Sequence, residues 1–401
     1  MKGNRPSTLR LALSRGAIFS LLLTLFGCMS PMALDHAVMA YDQTATEIQS
    51  KQLLLNIARA HQHLPLHFTG VSSIAATYNF QFNAGATPAM TGESGSLMTP
   101  IFGGTASENP TITIVPIEGE EFTRRLLTPF QESKLTMLLR QGTDIDLILR
   151  LLARELAIKT GEHDTVYVNN PRFKESYRFF RQAATHLGSI QDRHALYVEP
   201  LRYERHWSLP VESLSPQQLL DLEKEYSVVY DETGKRLTLS KPVTGHILLT
   251  NYDPQRLSND ERIKLDEEAG NGAMNEVMVD IRSKYPGGEL PLYGFFRLRS
   301  FYNVMNFIGN DLGGQAEFEV EKHPKTPFVS ENPAHTLGIT VTDSEPDNAD
   351  ISVKLGDWYY AVKEENGYPL NREGFRLLHQ LFQMTMAELP QHVAPSITIA
   401  K

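Results

Sequence analysis

The sequence predicts an α+β fold: small, mostly antiparallel sheets with packed helices, preceded by a long N-terminal helix. Three observations predict it. Apolar residues recur at spacings of three and four in several segments, the stripe of an amphipathic helix. Other segments alternate β-branched or aromatic residues with polar ones, as half-buried strands do. No repeat with a period of about 20–50 residues is present, which excludes a solenoid or propeller. Of 401 residues, 41% are hydrophobic and 21% charged, material enough for packed cores in two or three domains.

The elements follow in order. Leu34, Val38, Tyr41, Ala45, Ile48, Gln52 and Leu55 form one stripe, so a helix is expected over 34–60, docked on the body or pairing with a partner helix. After Pro65, "LHFTGVSSIAATYNFQF" reads as a strand, with Tyr78, Phe80 and Phe82 at period two. Residues 83–109 are rich in Gly, Ala, Ser and Thr and predict a flexible loop, after which "PTITIVPI" resumes strand character. Helices are expected over 118–128, about 131–140 and 143–159. The last has Thr143 as N-cap and Ile145, Ile148, Leu149, Leu152 and Leu156 inward. "TVYVNN" is a short strand, and Pro171 opens a helix to about 187.

In the second half, Ser215-Pro216 starts a helix to about 225, and "EYSVVYDETGKRLTLS" predicts a hairpin turning at Thr233-Gly234. "HILLTNY" adds a strand, the polar run 253–272 a surface loop, and "EVMVDIRS" another strand. A helix is expected over 292–309 with Leu298, Phe301, Tyr302, Met305 and Ile308 on one face. Residues 310–335, with Pro324, Pro327 and Pro333, read as irregular. The end reads strand, strand, helix, strand: "TLGITVT", "ISVKLGDWYYAVK", "NREGFRLLHQLFQM" and "PSITIA".

The N-terminus has a different character. Lys2, Arg5, Arg10 and Arg15 precede eleven largely apolar residues, Gly16 to Phe26. As a helix these span about 16 Å, short of the roughly 30 Å hydrocarbon core, so they read as a signal-peptide core rather than a membrane span. Leu25-Phe26-Gly27-Cys28 then ends the run with the only cysteine of the chain.

This arrangement resembles the lipobox of bacterial lipoproteins. The resemblance implies a diacylglyceryl thioether on the Cys28 sulfur, cleavage between Gly27 and Cys28, and acylation of the new amino group. Several acyl chains anchor a protein far more firmly than one. Met29 stands where an inner-membrane retention signal often places Asp, which implies the outer membrane. An ordinary cleaved signal with an incidental cysteine is the alternative. "SSIAATYNF", "ENPTITIVPIEGEEFTRRLLTPF", "FRLLHQLFQM" and "PSITIA" also resemble segments of uncharacterised lipoproteins of Gram-negative bacteria, a likeness that implies no activity. The expected organisation is a signal peptide over 1–27, a lipidated N-terminus and amphipathic helix over 28–64, and two α+β domains. The first domain covers 65–210 and includes the flexible loop 83–109; the second covers 211–401.

Charge narrows the function classes. The net charge of −9 falls to −13 without residues 1–27, with no compensating basic run, so nucleic acid is excluded as a partner. With Cys28 acylated, no disulfide or cysteine nucleophile is available. G-x-S-x-G, a P-loop, a strand-linked G-x-G-x-x-G and H-E-x-x-H are all missing from the sequence. His61, His63 and His67 have zinc-ligand chemistry but sit at a helix end broken by Pro65, and read as capping or solvated side chains. Asp343, Glu345, Asp347 and Asp350 offer oxygens for calcium, yet lack the glycine of an EF-hand loop and read as an acidic hairpin tip. Trp358 and Tyr360 fall on one face of a strand, a sugar platform or an edge of core. No catalytic residue, metal or cofactor is assigned.

The expected function is that of a membrane-anchored envelope lipoprotein, non-enzymatic, serving assembly, secretion or surface interaction by binding an envelope protein. The alternatives are an envelope small-molecule or glycan-binding module, favoured if Trp358 and Tyr360 line an open groove, and a hydrolase without a readable motif.

Overall fold

A computed structural model describes residues 29–88, 98–161, 163–231, 234–329, 331–362 and 370–386. They form an α+β structure in two compact units. The smaller unit contains the first helix, α1 (Met29–His61), as far as Gln52, and the chain from His67 to Ile117. The larger contains Leu53–Leu66 and the described residues from Glu118 to Met386.

In the smaller unit, β1 (Phe68–Pro88) and β2 (Met98–Ile117) make a two-stranded antiparallel ladder, from Phe68↔Ile117 to Pro88↔Met98. The ladder corrects the loop expected over 83–109. Residues 83–88 and 98–109 are strand; residues 89–97 lie outside those described. A β ladder is held by backbone hydrogen bonds, which small polar residues make as readily as large ones. In α1, Val38, Met39 and Ile48 are exposed, and the helix becomes buried only from Leu53. Over residues 38–60 the stripe is therefore core only at its C-terminal end.

The larger unit is organised by a seven-stranded sheet. Its elements are α2 (Glu120–Leu127), α3 (Glu132–Arg140), α4 (Ile145–Leu152), β3 (Ala153–Thr160) and β4 (His163–Val168). They continue with α5 (Lys174–Asp192), β5 (Tyr197–Pro210), α6 (Pro216–Glu225), β6 (Ser227–Tyr230), β7 (Arg236–Thr250) and α7 (Asn259–Gly270). After these come β8 (Glu276–Ile281), β9 (Leu292–Leu298) and α8 (Phe301–Asp311). The strand order is β4-β3-β9-β8-β7-β5, with β6 also on β7. Every pairing is antiparallel except β7 with β8. A three-stranded sheet, β10 (Ile339–Thr342), β12 (Trp358–Val362) and β11 (Ile351–Leu355), precedes α9 (Leu370–Met386).

The large sheet takes strands from both sides of residue 210, because β5 pairs with β7 along its whole length. The boundary expected at 210/211 is therefore not where the structure divides. Three element assignments also change. The helix expected over 143–159 stops at Leu152, and "ARELAIKT" becomes β3. Its cap is Asp144, whose side chain accepts from the Asp146 N–H, rather than Thr143. The helix expected over 292–309 is β9 followed by α8, with Ser300 as the cap. In both cases the apolar run is too short to show its period, and pairing on both flanks decides for strand. Gly294 shows how close that pairing is: a Cβ there would lie 1.9 Å from the Ala157 carbonyl oxygen.

The third change is the polar run 253–272, which holds α7. Ser258 and Glu261 make a reciprocal capping box, and Leu265, Asp266 and Ala269 supply its buried side. The hairpin expected at Thr233-Gly234 is present as β6 and β7, with residues 232–233 outside those described. "PSITIA" is outside them as well.

Candidate functional site

Between α8 and β10 the chain runs 312–338 without regular structure and is held by buried charges. Arg181, in the middle of α5, is fully buried. Its guanidinium donates to the Tyr177 hydroxyl (2.6 Å), to the Pro333 carbonyl (2.7 Å), to the Ala334 carbonyl (3.1 Å) and to Glu317 Oε1 (3.3 Å). Glu317 also accepts from the Tyr177 hydroxyl (2.7 Å), the Thr336 N–H (2.6 Å) and the Thr336 hydroxyl (2.9 Å). On α4, Arg150 pairs with Asp146 at 2.6 Å and donates to the Pro333 carbonyl at 2.8 Å and to Asn332 Oδ1 at 2.9 Å. Two arginines from neighbouring helices thus fasten the same turn, Asn332 to Ala334. Burial opposes the Arg181 charge, but Tyr177 and Glu317 outweigh it and raise its pKa. Burial, then the Glu317 charge, raises the Tyr177 phenol.

Among the described residues, Asp311, Glu317 and His335 place ligand-type atoms within 4.8 Å of one another. Donors already occupy them. Asp311 accepts from the Glu317 N–H and pairs with His335 Nδ1 at 2.9 Å, while Glu317 is engaged as above. A cation entering here would have to displace Arg181, so the group reads as a structural clasp. The hydrogen bond to Asp311 raises the His335 pKa against the opposing effect of burial.

Asp144 is a titratable exception at the start of α4. Burial, with the Asp146 charge second, pushes its carboxyl from 3.8 up to about 6. The stabilising proton is fully bound below the unfolded pKa and is lost as pH rises through the folded one. Asp144→Asn keeps an acceptor for the Asp146 N–H without the charge. It is expected to raise unfolding stability by about 1–2 kcal/mol at pH 7–8 and by much less at pH 4, read from urea midpoints at the two pH values.

A cleft of about 650 Å³ lies between α7, the end of β8 and the start of β9. Glu261, Lys264, Glu268, Arg282, Tyr285 and Tyr293 are among its lining residues. Beneath it, Asp280 Oδ2 accepts from the Tyr252 hydroxyl (2.6 Å) and from Arg282 Nε (2.8 Å). The Arg282 guanidinium sits 4.4 Å from the Tyr252 ring centre, and Tyr285 packs on that ring at 5.1 Å. Across the cleft, Glu268 accepts from the Tyr293 hydroxyl and from Lys159 Nζ (3.2 Å). Burial, then the carboxylate each donates to, holds the Tyr252 and Tyr293 phenols protonated. Burial pushes Glu268 up, but the bonds from Tyr293 and Lys159 outweigh it and leave its pKa below the ordinary value. Phenols fixed as donors and carboxylates fixed as acceptors suit binding better than proton transfer.

The residues singled out from sequence are distributed as follows. Gly27 and Cys28 lie outside the described residues. His63 takes a left-handed conformation (φ 56°) where α1 ends, and His61 Nδ1 pairs with the Tyr360 hydroxyl at 3.0 Å. Asp350 pairs with Arg372 on α9 at 2.9 Å. Tyr360 is fully buried while Trp358, at the start of β12, is half exposed, so the two do not form a sugar platform. The clasp and the cleft were not found from sequence. The one linear signal of the clasp is an arginine, Arg181, four residues from Tyr177 within the buried stripe of α5. No family model, curated protein or solved structure matches the chain.

Proposed function

We propose that this chain is a lipid-anchored lipoprotein of the bacterial envelope, held at the outer membrane through Cys28, and that it works by binding another envelope protein. The observation that carries this is the N-terminal order of basic residues, apolar run and Gly27-Cys28, with no second cysteine in the chain. The acidic body and the cleft support a protein-binding role. Tyr285, Tyr293 and Arg282 are of the residue types that anchor protein interfaces, and the acid–base groups around them are already paired.

Growing the producing cells on a radioactive fatty acid tests the anchor. Label is expected on the parent protein and absent from Cys28→Ser, which should also leave the membrane fraction. Equal labelling of both overturns the anchor. Crosslinking in intact cells is expected to recover a defined envelope protein; recovery of the monomer alone overturns the binding role.

A further inference from the structure

A second cleft, of about 450 Å³, is formed by β5 and β7 with the start of α7. Arg202, Glu204 and His206 alternate along β5, and the register sets Arg202 opposite Thr244 and Glu204 opposite Pro242 of β7. By the period of a strand these five residues share one face of the ribbon, and all five line the cleft. It has no lining residue in common with the cleft beside Tyr293.

The opposite wall is fixed by hydrogen bonds. Asn259, the first residue of α7, accepts from the Glu204 N–H at 2.8 Å and donates to the Glu204 carbonyl at 2.9 Å, which ties the helix to β5. One turn on, Arg262 donates from Nη1 to Gln255 Oε1 at 3.1 Å. Arg262 Nε is buried and has no hydrogen-bond partner among the described residues. Among the same residues neither Arg202 nor Arg262 pairs with a carboxylate. Glu204 is the one carboxylate among the described lining residues; it is mostly exposed and lies 3.8 Å from His206 Nε2. The lining is thus rich in donors, carries two permanent positive charges, and is poor in acceptors. A buried donor without a partner is unfavourable, and an acceptor entering the cleft would relieve it.

We propose that this cleft binds a phosphate group carried by a small molecule or by a lipid headgroup. The Arg202 and Arg262 guanidinium groups supply the charge, in the forked geometry that phosphate oxygens match. The Thr244 hydroxyl and a His206 ring N–H are further donors in the same lining. Two fixed cations suit the near-dianion of a phosphate monoester better than a single carboxylate charge. They match one phosphate group and not a polyanion, in keeping with the absence of a basic run from the sequence. The volume falls within the roughly 300–1,000 Å³ usual for small ligands, which leaves room for the body that carries the phosphate. The inference goes beyond the anchor and the protein-binding role and depends on neither.

The test is calorimetric titration of the purified protein in detergent with sn-glycerol 3-phosphate and, separately, with dihexanoyl phosphatidate. Saturable binding is expected, weakened at least about tenfold in Arg202→Gln and in Arg262→Gln. Glu204→Gln removes the carboxylate from the lining and is expected to tighten binding severalfold, which a merely damaged fold would not do. Binding of both probes supports a free phosphorylated ligand, and binding of the phosphatidate alone supports a lipid headgroup. Should Arg262→Gln fail to fold, the opposite effects of Arg202→Gln and Glu204→Gln, both at exposed positions, decide the matter. Binding of neither probe, binding as tight in the arginine variants as in the parent, or glycerate bound as tightly as glycerol 3-phosphate overturns the proposal.

Discussion

Arg181→Ala is expected to lower the unfolding free energy by about 3–5 kcal/mol, the usual cost of stranding one member of a buried ion pair. The change removes the donor to Pro333, Ala334, Tyr177 and Glu317 together, and leaves the Glu317 carboxylate buried without its counter-charge. Urea unfolding of the purified protein measures the loss. Arg181→Met combined with Glu317→Gln is expected to cost less than the two single changes added, because the stranded charge is then gone. A loss below about 1 kcal/mol for Arg181→Ala would show that the clasp does not hold the 312–338 segment.

Arg299→Met is expected to cost about 3 kcal/mol through a different mechanism. Arg299 has no carboxylate partner among its hydrogen bonds. Its guanidinium donates to the carbonyls of Arg150 (3.0 Å), Leu151 (3.0 Å) and Asn169 (2.6 Å), and packs 3.9 Å from the Phe307 ring centre. The first two carbonyls belong to the last turn of α4, whose acceptors have no partner within the helix, and a cation is favoured there. Methionine fills the volume but takes this donor from all three, and of them the Arg150 carbonyl keeps a bond from Asn169 Nδ2 at 2.9 Å. Hydrogen exchange is expected to quicken at the junction of α4 and β3 before anywhere else in the sheet. Arg299→Lys is expected to recover only part of the loss, since one ammonium cannot reproduce the fork of a guanidinium.

These two arginines also mark where sequence reading stops. Period and caps locate most elements: Ser215 before α6, and Gly234, with a φ of 66°, between β6 and β7, are local signals that survive folding. The segments "ARELAIKT" and "LYGFFRL" are each eight residues or fewer and buried through much of their length. A helix period and a strand period cannot be told apart over such a run. Their strand state is decided by each other, since β3 pairs with β9 across more than a hundred residues of chain. The clasp is less legible still. Arg181 comes from α5 and Glu317 and Thr336 from opposite ends of the 312–338 segment, and nothing near any one of them announces the other two. In the hairpin, by contrast, the alternation was visible at Tyr78, Phe80 and Phe82, and small residues beyond them concealed that the ladder continues.

The position of β9 has a consequence for how the chain folds. β4 and β3 form one half of the large sheet, β8, β7 and β5 the other, and β9 is the strand that joins them. A chain synthesised only as far as Pro291 therefore holds both halves but cannot merge them. Until Leu292–Leu298 arrives, β3 and β8 each present a largely apolar open edge, the kind of surface that drives association between unfinished chains. Closing the sheet then requires a long-range encounter, which is slow. Refolding is accordingly expected to be slow and favoured by dilution, and truncation anywhere before Leu298 to yield aggregates rather than a smaller folded protein.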